Sequence, residues 1–118
     1  MSDFADVFAQ LRRVMLEAAP AARVATDAPG DLVLHSHDTD PRTGKPVWFG
    51  AVAVKRSYVA YHLFPLYEDP VLGRDLPPEL ARRRQGKSCF NFKTAEPPLF
   101  EALAGLTRAA ALARGLDR

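Results

Sequence analysis

The chain holds one cysteine, and the residues around it are of the kinds that do chemistry. Gly86-Lys87-Ser88-Cys89-Phe90-Asn91-Phe92-Lys93 reads as a short strand between two helical segments. Side chains alternate along a strand, so Phe90 and Phe92 point one way and Lys87, Cys89, Asn91 and Lys93 the other. The first pair reads as core and the second set as a reactive or binding surface. Lysines beside a thiol favour the thiolate, so Lys87 and Lys93 are expected to lower the pKa of Cys89. A cysteine nucleophile also needs a base. His62 is the one histidine in a predicted strand, and it would face Cys89 if the two strands are near neighbours. No third catalytic group and no cysteine-hydrolase signature accompany the pair. A lone strand cysteine is more often a small buried hydrophobe. A strand histidine is more often partly buried and hydrogen-bonded to a neighbour.

Two other clusters have chemical potential. His35-Ser36-His37-Asp38-Thr39-Asp40 places two histidines and two aspartates within six residues of a polar stretch that runs to Pro46. Imidazole and carboxylate are common nitrogen and oxygen ligands, so the sharp reading is a metal site and the bland one a solvated loop. Arg82-Arg83-Arg84, with Lys87 and Lys93, reads either as an anion-binding patch or as a solvated helix end. No aromatic residues interleave with the arginines as single-stranded nucleic acid would need, so nucleic acid is not expected.

The elements that must position these groups follow from periodicity and turn chemistry. Phe4, Val7, Phe8, Leu11, Val14, Met15 and Ala18 recur at helical spacing. Ser2 is the expected cap, Asp3 and Asp6 suit the first turn, and Pro20 ends the helix. Arg23–Thr26 and Leu32–Leu34 read as a hairpin around the turn Asp27-Ala28-Pro29-Gly30. Val47–Lys55 and Tyr58–Phe64 are the strongest strands, broken at Arg56-Ser57 and closed by Pro65. Tyr58, Ala60, His62 and Phe64 share one face; Val59, Tyr61 and Leu63 share the other. Leu66–Pro70 leads into a loop. Pro77–Arg84 is a short helix with Gly86 as its stop. Thr94 is the expected cap of a last helix whose stripe is Leu99, Phe100, Leu103, Leu106 and Ala110.

Composition sets the bounds. The 118 residues fit one domain, and 47% hydrophobic with 25% charged residues is ordinary for a globular protein. The formal charge of +2 does not by itself call for nucleic acid or an anionic membrane. One cysteine forms no internal disulfide, which favours a reducing, cytoplasmic setting. The opening residues lack the basic-then-apolar run of a signal peptide, and no apolar run is long enough to span a membrane. Heavy use of alanine and arginine hints at a bacterial source.

Several short motifs together resemble the YdhG-like family, a domain of unknown function. They are Gly86–Lys93, the opening Phe4-Ala5-Asp6-Val7-Phe8, Pro29-Gly30-Asp31, Gly44-Lys45-Pro46 followed by Trp48-Phe49-Gly50-Ala51-Val52, and Tyr58 through His62 to Pro65 and Tyr67. The resemblance spans nearly the whole chain. It implies a small bacterial α+β domain with helices packed on an antiparallel sheet. Some relatives are likened to frataxin in fold and discussed as iron carriers. It supplies no catalytic residues.

These observations lead to one expectation: a single two-layer α+β domain over residues 1–118. A mostly antiparallel sheet of about five strands has the N- and C-terminal helices on one face, and a short helix precedes the last strand. The other face is expected to bind a small anionic or aromatic molecule or a protein partner, through Tyr58, His62, Tyr67, Lys87, Cys89 and Asn91, with Trp48 near the rim. A homodimer through the same face is the bland version. No cofactor, nucleic acid or membrane is expected. The competing classes are an iron or other metal carrier using His35, His37, Asp38 and Asp40, and an enzyme or redox protein using Cys89.

Overall fold

Apolar residues three and four apart build the first element. In the computed structural model, which describes residues 3–118, α1 runs Phe4–Ala18 and buries Val7, Phe8, Leu11, Met15 and Ala18. Asp3 caps it, its carboxylate accepting from the Ala5 amide at 2.9 Å. The expected cap, Ser2, lies outside the described residues.

Six strands follow: β1 Arg23–Ala28, β2 Asp31–Thr39, β3 Pro46–Val54, β4 Val59–Leu63, β5 Arg84–Gln85 and β6 Cys89–Phe92. They lie in the order β1-β2-β3-β4-β6-β5, and every pairing is antiparallel. Between β4 and β5 come α2 (Pro65–Glu68), a 3-10 turn (Pro70–Gly73) and α3 (Pro78–Arg83); α4 (Pro97–Ala113) closes the chain. The result is the expected α+β domain, with one strand more than expected. No helix among the described residues is long and apolar enough to cross a membrane.

Four local expectations are corrected. The polar stretch after Leu34 is not all loop, because β2 continues through Thr39 with Ser36 buried and its hydroxyl donating to the Val47 carbonyl at 3.1 Å. The turn proper is Asp40–Lys45, where the Asp40 amide donates to Lys45 O and the Gly44 amide to Asp40 O, both at 2.8 Å. Tyr67 sits in α2, not in a loop. Gly86 does not stop a helix; α3 ends earlier, Gln85 pairs with Cys89, and Gly86 takes φ +71° in the intervening hairpin turn. Thr94 does not cap α4. Two prolines set its start at Pro97, so Glu96 occupies the cap position, and the Glu96 carboxylate is drawn instead onto Arg83 by two hydrogen bonds of 2.7 Å.

One face of the sheet is core. Leu32, Leu34, Val52, Val59, Tyr61, Leu63, Phe90 and Phe92 are buried there with the stripes of α1 and α4. Phe92 meets Phe100 edge-on, centroids 5.0 Å apart. Thr107 donates to Leu103 O, which leaves its oxygen to accept from the buried Tyr61 hydroxyl at 2.6 Å. Burial drives that phenol well above its ordinary pKa. The outer strands are less regular. The β1–β2 register shifts between Val24 and Thr26, and the Arg12 guanidinium of α1 grips the Asp27 carboxylate of β1 at 2.6 and 2.9 Å. At the other edge Arg84 donates to the carbonyls of Lys87 and Gly73, tying the β5–β6 turn to the 3-10 turn.

At Gly50 the sheet leaves no room for a side chain beneath Met15 of α1. A Cβ there would meet Met15 Cε at 2.6 Å, Met15 Sδ at 2.9 Å and the His62 carbonyl at 3.1 Å. Gly50→Val is expected to destabilise the protein by about 2 kcal/mol through overpacking. In urea titrations the Gly50→Val/Met15→Ala double variant should be less destabilised than the two single losses added together.

Candidate functional site

The face turned away from the helices is built by strand register. Ala51 pairs with His62, Ala53 with Ala60, His62 with Cys89, and Ala60 with Asn91. Phe90 and Phe92 are fully buried on the other side, so Cys89 and Asn91 stand on this face with His62, as alternation requires. The face is concave. A trough of about 620 Å³ has small residues along its middle, Ala51, Ala53 and Ala60, flanked by Val33. His35, Trp48, His62 and Phe64 close one end; Asp31 and Lys55 stand at the other.

The closed end is a run of aromatic rings. His35 lies 5.6 Å from Trp48, and Trp48 lies 5.5 Å edge-on from Phe64. Phe64 stacks flat on His62 at 4.2 Å, and Tyr67 leans against both at 6.5 and 5.9 Å. Trp48 reaches this face through a bulge. Leu34 pairs with Gly50 but His35 with Trp48, so Phe49 is an extra residue; it turns into the core and the phase of the strand flips. Without the bulge Trp48 would share the inward face of Gly50 and Val52.

Trp48 and Phe64 also line a second cavity of about 480 Å³ beyond the trough, with Tyr67, Arg42 and the ion-paired Glu68 and Arg114. A third, of about 440 Å³, lies at the β5 edge and takes in Tyr58 and Asn91. The six residues expected to form one site are therefore divided. His62 faces the trough, Tyr67 the second cavity, Tyr58 and Asn91 the third. Cys89 is half-buried beside His62. Lys87 is exposed in the turn before β6, where strand alternation does not apply.

Electrostatics follow from burial. Desolvation, then the Lys55 ammonium, holds His62 below its ordinary pKa. Its Nε2 lies 2.5 Å from the Ser88 hydroxyl. A serine beside a histidine suggests nucleophile and base, but Ser88 is 1% exposed and, among the described residues, no carboxylate hydrogen-bonds to the His62 ring. Burial pushes the Cys89 thiol up, partly offset by Lys55 and by the Phe90 amide. The cation acting on the thiol is thus Lys55, not the expected Lys87 and Lys93. The thiol donates to Asn91 Oδ1 at 3.4 Å. Lys55 and the three alanines were missed in the sequence, although Ala51, Ala53 and Lys55 share one strand phase.

The candidate metal ligands do not converge. His37 Nε2 is 2.6 Å from Ala21 O and its Nδ1 accepts from Arg23, which occupies both ring nitrogens. His35 lies against Trp48, and Asp40 Oδ1 accepts from the Arg42 amide. Among the described residues no three His, Cys, Asp or Glu side chains are grouped to hold a metal ion.

Two outcomes follow. Native Cys89 should alkylate with iodoacetamide at pH 8 more slowly than an unhindered thiol and accelerate on unfolding; Lys55→Met should slow it further, while Lys87→Ala should not. His62 should titrate by NMR below its ordinary 6.5. The unfolded chain then takes up this proton first, so the His62 contribution to stability is whole above about 6.5 and declines as pH falls toward the folded value. Lys55→Met should raise the folded pKa and flatten that decline.

A scan against protein-family models, a search of curated proteins and a search of solved structures each returned no match for this chain.

Proposed function

We propose that the protein is a non-enzymatic binding domain, of YdhG-like kind, that takes a small planar molecule bearing one acidic group in the open-face trough. The observation that carries the reading is the trough itself: small side chains along the middle of a sheet face, with aromatic rings at one end and one lysine and one aspartate at the other. Small-molecule sites combine largely apolar walls with a few placed polar groups, and the volume is in their range. Among the described residues Lys55 is the only lysine or arginine lining the trough and Asp31 the only carboxylate; an acidic group on the ligand would pair with Lys55. His62, tied to Ser88, and the Cys89 thiol are both biased toward their neutral forms, which leaves Asp31 and Lys55 as the charged groups of the trough. That suits binding better than nucleophilic attack, which needs a thiolate. The cytoplasm is the compartment we infer, from the single cysteine.

Trp48 is the only tryptophan and stands at the aromatic end, so its fluorescence reports occupancy. Titration with 2-naphthoate should quench it saturably. Ala51→Leu, which fills the trough, should abolish the quench with an unchanged melting curve. Lys55→Met should weaken 2-naphthoate by up to roughly fivefold, the most an exposed ion pair gives, and leave neutral 2-naphthol unaffected. Sedimentation at micromolar concentration should give a monomer. A dimer that dissociates in His62→Asp would assign the face to a second copy of the chain, and the small-molecule reading would fall.

A further inference from the structure

The third cavity has a different chemistry from the trough. It lies where β5 is only two residues long, so α3 and the turn after β6 contribute to its wall. Tyr58 and Asn91, both half-buried, contribute from the sheet, while Arg82 and Arg83 come from α3 and Lys93 and Glu96 from beyond β6. Three cations against one carboxylate leave a surplus of two positive charges. Arg83 is spoken for: its guanidinium holds Glu96 through two hydrogen bonds of 2.7 Å, and the pair shifts each partner toward its charged form. Arg82 and Lys93 have no ion-pair partner among the described residues.

We propose that this cavity binds a small phosphate monoester that carries a planar group. The dianion is held by Arg82 and Lys93 and the planar group packs against Tyr58. A phosphate monoester carries about −1.5 to −2 at neutral pH, which matches the surplus. Arginine and lysine are the side chains that receive phosphate oxygens through charge-assisted hydrogen bonds. The Arg83–Glu96 pair links α3 to the start of α4 and leaves Arg82, the preceding residue of α3, for the ligand. The Asn91 amide supplies a neutral donor beside the anion. The volume, about 440 Å³, holds a monocyclic aryl phosphate. This site is separate from the trough and does not depend on the reading given for it.

Phenyl phosphate is the probe, followed by amide chemical shifts in the ¹⁵N-labelled protein. Saturable shifts at Asn91, Lys93 and Gln85 are expected, with a dissociation constant of about 1 mM or tighter. Arg82→Gln and Lys93→Gln should each weaken binding roughly tenfold. Tyr58→Leu should weaken phenyl phosphate roughly fivefold and leave inorganic phosphate unchanged. Ala51→Leu, which blocks the trough, should have no effect. The proposal is overturned if phenyl phosphate gives no saturable shift. It is equally overturned if Lys45→Gln, a lysine outside this cavity, weakens binding as much as Lys93→Gln does, since the attraction would then be general charge and not a site.

Discussion

Two helices can cover only one face of this sheet. At 1.5 Å per residue α1 and α4 are roughly 23 and 26 Å long, and both lie against the side that carries Tyr61, Phe90 and Phe92. This pins the phase of every central strand, because a slip of one residue would exchange the buried and open sets. The Tyr61–Thr107 hydrogen bond and the Phe92–Phe100 contact both belong to the covered side. The open side is then left to what the sequence places there in alternation: alanines in the middle, rings and a lysine at the ends. The trough is a by-product of that one-sided coverage, and its floor is low because Ala51, Ala53 and Ala60 project so little.

Much of this was legible where a single local signal decided the outcome. The stripe of α1, the Pro29-Gly30 turn, the break at Arg56-Ser57 and the split of β6 into Phe90 and Phe92 against Cys89 and Asn91 all rest on periodicity or turn chemistry, and each stands in the structure. What was not legible depends on pairing between distant residues. The bulge at Phe49 is invisible in one strand read alone, since it exists only relative to Leu34 and His35 in the next. Gly86 carries the same left-handed backbone in a helix stop and in a hairpin turn, so its φ could not choose between them; the Gln85–Cys89 pairing does. The candidate site was legible as a face but not as cavities, because Tyr58, His62 and Tyr67 reach three different hollows through neighbours contributed by β3, α2 and α3.

Burial favours the neutral form of both chemical groups of the open face, whereas the Lys55 charge reinforces it in one and opposes it in the other. For His62 desolvation and Lys55 both favour the neutral ring. For Cys89 desolvation favours the neutral thiol while Lys55 opposes it. Desolvation is the larger influence in each case, so both groups are neutral near pH 7. Among the described residues Lys55 is the cation that biases both members of the pair. An acidic ligand seated against it would remove that bias, letting His62 accept a proton more readily and Cys89 lose one less readily. Occupancy of the trough would thus be written into the titration of two side chains that need not touch the ligand's acidic group.

The two edges of the sheet differ from its open face in what they permit. An edge strand normally offers unpaired amides and carbonyls to another chain. Here β1 is interrupted by its register shift after Val24 and carries the Arg12–Asp27 pair, while β5 presents only Arg84 and Gln85 before the chain turns. Neither offers a long, flat, regular ladder. The sheet is therefore poorly suited to grow by adding strands from neighbouring molecules, and the domain can reach high concentration with less risk of edge-to-edge polymerisation than its half-bare sheet would suggest.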